Sequence, residues 1–149
     1  RGHSSMGIAL VFLAVLIKSF MAIIPATARK IRQGETPIIE GTGEQTRDFI
    51  YVKDTVRALV AAYENEDSRG KIINIGSGSD ISINYLMKKI CDYLGYDGEI
   101  ERRESRKSDV QKLCASSDRA KKYLGFTPEY TFEEPLKETL DWYIKHAKL

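Results

Sequence analysis

Cysteine and histidine are scarce in this chain of 149 residues, with two of each. Cys91 and Cys114 form no CxxC pair, and a secreted disulfide scaffold would be far denser in cysteine. Free thiols fit a reducing compartment, so a cytoplasmic location is expected. His3 and His146 lie near opposite chain ends, which argues against zinc chemistry through imidazoles. Charge of one sign is also lacking. Lys and Arg number 23 against 21 Asp and Glu, a formal net charge of +2, so no global field recruits nucleic acid or membrane. No internal repeat and no low-complexity linker occurs. No GxxGxxG loop is present either. What the chain does have is 42% hydrophobic residues, enough for a packed core and too many for intrinsic disorder. At roughly 150 residues per domain, its length suits one domain or a piece of a larger one.

The apolar residues are unevenly spread. Between Gly7 and Ile24, 15 of 18 positions are apolar, interrupted by Lys18 and Ser19. Three readings stay open for this run: a buried strand or helix, a signal or membrane segment, or the product of an artificial junction. A transmembrane helix would need about 20 predominantly apolar residues. Residues 1–20 are read as a tag remnant followed by an atypical apolar segment, and 21–149 as the folded domain.

After Pro25 the pattern alternates between helix and strand. Ala26–Gln33 reads as a helix stopped by Gly34. Ile38-Ile39 is a short strand candidate, followed by a turn at Gly41-Thr42-Gly43, and Phe49–Val52 is a second. Asp54 reads as the N-cap of a helix carrying Val56, Leu59, Val60 and Tyr63 at helical spacing. Lys71–Ile75 is an apolar strand candidate running into Gly76-Ser77-Gly78. Ser82 opens the clearest helix, with Ile83, Leu86, Met87, Ile90 and Leu94 on one stripe and Gly95 at its end. Cys91 lies on the same helix as a small core residue. Glu99–Arg103 reads as a solvated edge strand and Ser117–Leu124 as a helix closed by Gly125. Thr131 and Glu134 suggest a capping box for a last helix buried through Phe132, Leu136, Leu140 and Tyr143. Strands alternating with helices indicate an α/β class.

The densest chemical signal is Gly41-Thr42-Gly43-Glu44-Gln45-Thr46-Arg47-Asp48-Phe49-Ile50-Tyr51-Val52-Lys53-Asp54. An arginine beside a strand edge suits bidentate contact with phosphate or carboxylate. Taken alone, Arg47-Asp48 could equally be an ordinary surface ion pair. In context the stretch resembles the G-x-G-x-Q-x-R-D-F-x-Y-V-x-D signature in the C-terminal half of the extended short-chain dehydrogenases/reductases. These are the NAD-dependent nucleotide-sugar epimerases and dehydratases, such as UDP-glucose 4-epimerase. Further segments resemble the family in order: Asn74-Ile75-Gly76-Ser77-Gly78 with Ser82-Ile83, Arg106–Val110, Leu124-Gly125-Phe126-Thr127-Pro128 and Trp142-Tyr143. The match runs over residues 21–145.

The resemblance implies the C-terminal, substrate-binding portion of an extended Rossmann-type fold, without the main N-terminal NAD-binding domain. It implies that Arg47 and Arg106 bracket the diphosphate of a nucleotide-diphosphate sugar, that Asp109 bonds the ribose or a group nearby, and that Ile38-Ile39 lie along the base. NAD is the cofactor of the complete family, and none is expected to bind this chain alone. Ser108 stands where the family has glycine. The family's catalytic Tyr-x-x-x-Lys lies upstream of the R-D-F signature. Tyr85 and Lys89 match that spacing but lie downstream of it, on the solvent side of an amphipathic helix, so they are read as coincidence and no catalytic residue is assigned. Gly76-Ser77-Gly78 lacks a third glycine and is read as a loop at a strand end. The basic cluster Arg102–Lys107 is read as a solvated edge leading into a phosphate-binding arginine, since Glu104 interrupts it and no RNA-binding signature accompanies it.

One reading of the N-terminus follows: residues up to about Ile17 stem from a reading-frame slip or junction that removed an upstream domain. The expected function is the substrate-binding part of such an epimerase or dehydratase, inactive alone, and Phe49 leans towards the epimerase type. The alternative is a non-catalytic nucleotide-binding or interaction domain, in one version anchored to a membrane through residues 7–24. The expected partners do not include nucleic acid, a membrane enters only under the anchored alternative, and a homodimer is compatible with the sequence.

Overall fold

A computed structural model describes residues 23–105 and 109–146. Arg106 and the run Gly7–Ala22 therefore lie outside the described residues. The elements follow the order α1 (Ile23–Arg32), β1 (Ile38–Glu40), β2 (Thr46–Asp48), α2 (Val52–Glu64), a 3-10 turn (Glu66–Ser68), β3 (Asp80–Ser82), α3 (Ile83–Leu94), β4 (Glu101–Arg103), β5 (Lys112–Leu113), α4 (Asp118–Leu124) and α5 (Glu133–His146). The mixed α/β class is as expected.

The strands form two small sheets. β1 pairs in parallel with β4, Ile39 opposite Arg102. β2 lies between antiparallel β3 and parallel β5, with Arg47 opposite Ile81 on one side and Leu113 on the other.

The helix best marked in the sequence also organises the core. Ser82 Oγ accepts from the Tyr85 amide, and Gly95 closes α3 in the left-handed conformation at φ 66°. Ile83, Leu86, Met87, Ile90 and Cys91 are all buried and pack with Ala28 of α1, Ile39 of β1 and Leu136 and Leu140 of α5. Burial of each large aliphatic side chain there stabilises by roughly 1.5–3 kcal/mol. A second, smaller cluster joins Ala58 of α2 to Ala120, Leu124 and Phe126.

Several expectations are corrected. Phe49–Val52 is not strand, because β2 has lost its partners by then: Asp48 already pairs with the first residue of β3, and β5 ends at Leu113. The chain turns inward instead. Phe49 packs on Phe132 with ring centroids 5.8 Å apart, and Tyr51 stands edge-on to Tyr130 at 4.8 Å. The following helix starts at Val52, so Asp54 works from inside its first turn and not as its cap. Lys71–Ile75 enters neither sheet: Ile73 and Ile75 pack on the second cluster while Ile72 is 78% exposed. The last helix begins at Glu133, so Thr131 and Glu134 do not bracket its first turn. The α2 stripe faces outward. Val52, Val56, Leu59, Val60 and Tyr63 are all exposed, and the covered side of the helix carries Ala58 and Asp54.

Candidate functional site

The site grows from the three residues of β2. Successive side chains on a strand leave opposite faces, so Arg47 points away from the side that carries Thr46 and Asp48. Arg47 reaches across to the segment that leads into β5. Its Nη1 donates to the Val110 carbonyl at 2.6 Å and to the Thr46 carbonyl at 2.8 Å, and its Nη2 donates to the Asp109 carboxylate. The structure thus brings together two of the expected site residues, 62 positions apart. The side chains are 16% and 21% exposed, so the pair is shielded but reachable from solvent. A guanidinium has five N–H donors, and these bonds leave two for an anion.

The opposite face of β2 carries negative charge. Asp48 and Asp80 are register partners. The Asp80 carboxyl is held below the usual range by the neighbouring Thr46 hydroxyl and by Lys112, 3.2 Å away. Burial, Asp48 and Asp80 push the Cys114 thiol up, so it is not an activated thiolate.

Ile39 sits elsewhere. It is 2% exposed, its side chain in the main core beneath α3, at the floor of a groove also lined by Asn84, Cys91, Tyr96 and Arg102. Arg47 and Asp109 do not line that groove.

The Gly41-Thr42-Gly43 turn is clasped by residues the sequence did not single out as a group. Arg102 donates to the Thr42 carbonyl at 2.6 Å and to Asn84 Oδ1 at 3.1 Å, while Asn84 Nδ2 bonds the Thr42 carbonyl at 3.1 Å and Glu44 at 2.6 Å. Gly43 is required here. Its φ is +79°, and a Cβ would sit 2.0 Å from Asn84 Oδ1. Arg102 is therefore engaged in the fold, and Arg103 pairs with Glu101 at 2.7 Å, so both arginines have local partners. Tyr85 and Lys89 also have local partners: the Tyr85 hydroxyl donates to Glu133, and Lys89 lies 3.7 Å from the same carboxylate.

The chain is similar to proteins of known kind. Residues 18–139 match the family model described as GDP-mannose 4,6 dehydratase. The chain belongs to this family of NAD-dependent nucleotide-sugar epimerases and dehydratases. Among curated relatives, UDP-glucuronate 4-epimerase of Thermodesulfobacterium geofontis is 36% identical over 117 residues, covering 77% of this chain and 36% of that protein. Among solved structures, UDP-glucose 4-epimerase of Thermotoga maritima with UDP-glucose superposes with a TM-score of 0.77 at 35% identity, over 83% of this chain and 39% of that one. The dTDP-glucose 4,6-dehydratase of Bacillus anthracis in complex with NAD gives a TM-score of 0.75 at 25% identity, over 85% and 40%. The chain thus spans about 40% of the length of such relatives. Among the described residues no helix is long and apolar enough to cross a membrane.

Proposed function

We propose that this chain is the nucleotide-sugar-binding part of an NAD-dependent epimerase or dehydratase, of the UDP-glucose 4-epimerase type, and does not turn over substrate by itself. The observation that carries the reading is the Arg47–Asp109 pair, which joins the central strand β2 to the segment before β5, lies within the family's own signature and is reachable from solvent. Arg47 supplies charge-assisted donors to the diphosphate, and Asp109 accepts from a sugar hydroxyl. The pair is neutral as it stands, so a dianionic diphosphate needs a second cation. Arg106, three positions before Asp109 in the chain, is the residue we assign to that role.

Two features support a partial activity. Tyr85, the one tyrosine in Tyr-x-x-x-Lys spacing, donates its hydroxyl to Glu133. The α2 stripe from Val52 to Tyr63 forms an exposed apolar surface, and the extended relatives have a further domain's worth of chain to cover one. In the complete reaction NAD supplies hydride transfer, and this chain's residues hold and orient the nucleotide. Calorimetric titration tests the reading. UDP-glucose binding without NAD binding or turnover is expected, and tight NAD binding or measurable epimerisation would contradict it.

A further inference from the structure

The Asp48 carboxylate collects more donors than any other side chain described. Oδ1 accepts from the Ser77 amide at 2.8 Å and the Ser77 hydroxyl at 2.5 Å. Oδ2 accepts from the Gly78 amide at 3.1 Å and the Ala115 amide at 3.2 Å, and the Cys114 thiol lies 3.9 Å away. These donors come from two loops that the sequence separates from Asp48 by about 30 and about 67 positions. The packing leaves no slack. A Cβ on Gly76 would lie 2.6 Å from Asp48 Oδ2 and 2.5 Å from the Ala115 Cβ. Ser117 ties the same loop from its other side by donating to the Gly76 carbonyl at 2.9 Å.

The consequence concerns β5. It is two residues long and exposed, and it pairs with β2 only through Thr46–Lys112 and Arg47–Leu113. A ladder that short does not hold its register, and a slip of one residue would turn every side chain to the other face. Its register is fixed at the ends instead. Arg47 holds the segment before it, through Asp109 and Val110, and Asp48 holds the segment after it, through Ala115. Adjacent residues on opposite faces of β2 thus pin opposite ends of one short strand.

We propose that Asp48 is a positioning residue of the nucleotide-diphosphate site: by clamping residues 76–78 and 114–115 it fixes the register in which Asp109 and Val110 meet Arg47. Asparagine cannot replace it. In either orientation its amide nitrogen would face a backbone N–H where only an acceptor fits, those of Gly78 and Ala115 or, when flipped, that of Ser77. The proposal rests on the reading that Arg47 contacts the diphosphate.

The test is a double-mutant cycle on UDP affinity, measured by calorimetry on the wild type, Asp48→Asn, Arg47→Ala and the double variant. Each single variant is expected to bind UDP about tenfold or more weakly, and the double no more weakly than Arg47→Ala within twofold. Leu140→Val, a core truncation on α5, serves as the stability control and should leave affinity within twofold. The Arg47 guanidinium resonances in a 15N-resolved NMR spectrum should shift or broaden in Asp48→Asn and not in Leu140→Val. Should Asp48→Asn fail to fold, Ser77→Ala removes one donor and is expected to weaken UDP binding about threefold. Unchanged affinity in a folded Asp48→Asn (or, in its place, in Ser77→Ala), or losses that multiply in the double variant, would overturn the positioning role while leaving the nucleotide reading intact. A wild type that does not bind UDP would overturn both.

Discussion

Replacing Asp54 with alanine should unfold the first turn of α2 from its anchor. The side chain is fully buried, at 0% exposure, yet it lies in a helix that is otherwise open to solvent on its apolar side. Its carboxylate takes Arg57 Nη1 at 2.5 Å, the Glu129 amide at 3.2 Å and the Tyr130 amide at 3.3 Å. Arg57 also reaches Glu129 at 2.5 Å and lies over the Phe126 ring, 5.6 Å from its centroid. One carboxylate thus ties α2 to the segment between α4 and α5. Alanine would leave two backbone amides without an acceptor and remove a charge-assisted bond. Each of the two amides left without an acceptor costs about 1–3 kcal/mol, while Arg57, itself 38% exposed, keeps Glu129 as its partner. Taking about 3–5 kcal/mol as the net, the thermal midpoint should fall by roughly 6–20 °C for a domain of this size. Urea unfolding followed by circular dichroism gives the free energy, and an unchanged slope would confirm that the denatured state is not the cause. A loss below about 1 kcal/mol would refute the reasoning, since it would mean that water satisfies the freed amides.

Two further outcomes follow from the electrostatics and the surface. The Tyr51 hydroxyl and Lys53 hold the Glu138 carboxyl below the usual range, and the Tyr85 hydroxyl, the local backbone and Lys89 do the same for Glu133, as Thr46 and Lys112 do for Asp80. A carboxyl depressed in the folded state stabilises above its unfolded pKa of about 4 and loses that contribution as pH falls through the folded value. Urea midpoints should therefore decline below about pH 4.5, less steeply in Glu138→Gln, and stability rising between pH 5 and 3 would contradict this. On α2, Val56→Lys with Val60→Glu should change stability by no more than about 0.5 kcal/mol and reduce self-association in sedimentation velocity. A loss above about 2 kcal/mol would show that this face is covered.

The parts of the fold legible in sequence are those set by neighbours along the chain. α3 is the clearest case, because Ser82, the apolar stripe and Gly95 are all local signals and all act as read. The strands were harder. Phe49–Val52 has a β-rich composition, but a strand exists only where a partner lies beside it, and pairing with β3 and β5 stops at Asp48–Asp80 and Arg47–Leu113. Lys71–Ile75 shows the same dependence on a partner. For α2 the spacing of apolar residues was legible and the covered side was not. Helical periodicity says which residues share a face, and only the tertiary arrangement says what that face meets. Asp54 carried the composition of a cap, but its acceptors are spent on amides some 75 positions away. At the candidate site, Arg47 and Asp109 received roles through motif resemblance, while Asp48, in the same R-D-F motif, received none. Its donors come from loops that no local pattern connects to it.

The central claim is that Arg47 meets the diphosphate of a nucleotide sugar, and calorimetric titration of UDP-glucose into the wild type and Arg47→Ala tests it most directly. Removing a charge-assisted contact worth about 1.5–3 kcal/mol should weaken binding by about 10- to 150-fold, with wild-type affinity falling as salt rises. Equal affinity in the two proteins, or no binding by a folded wild type, would contradict the account.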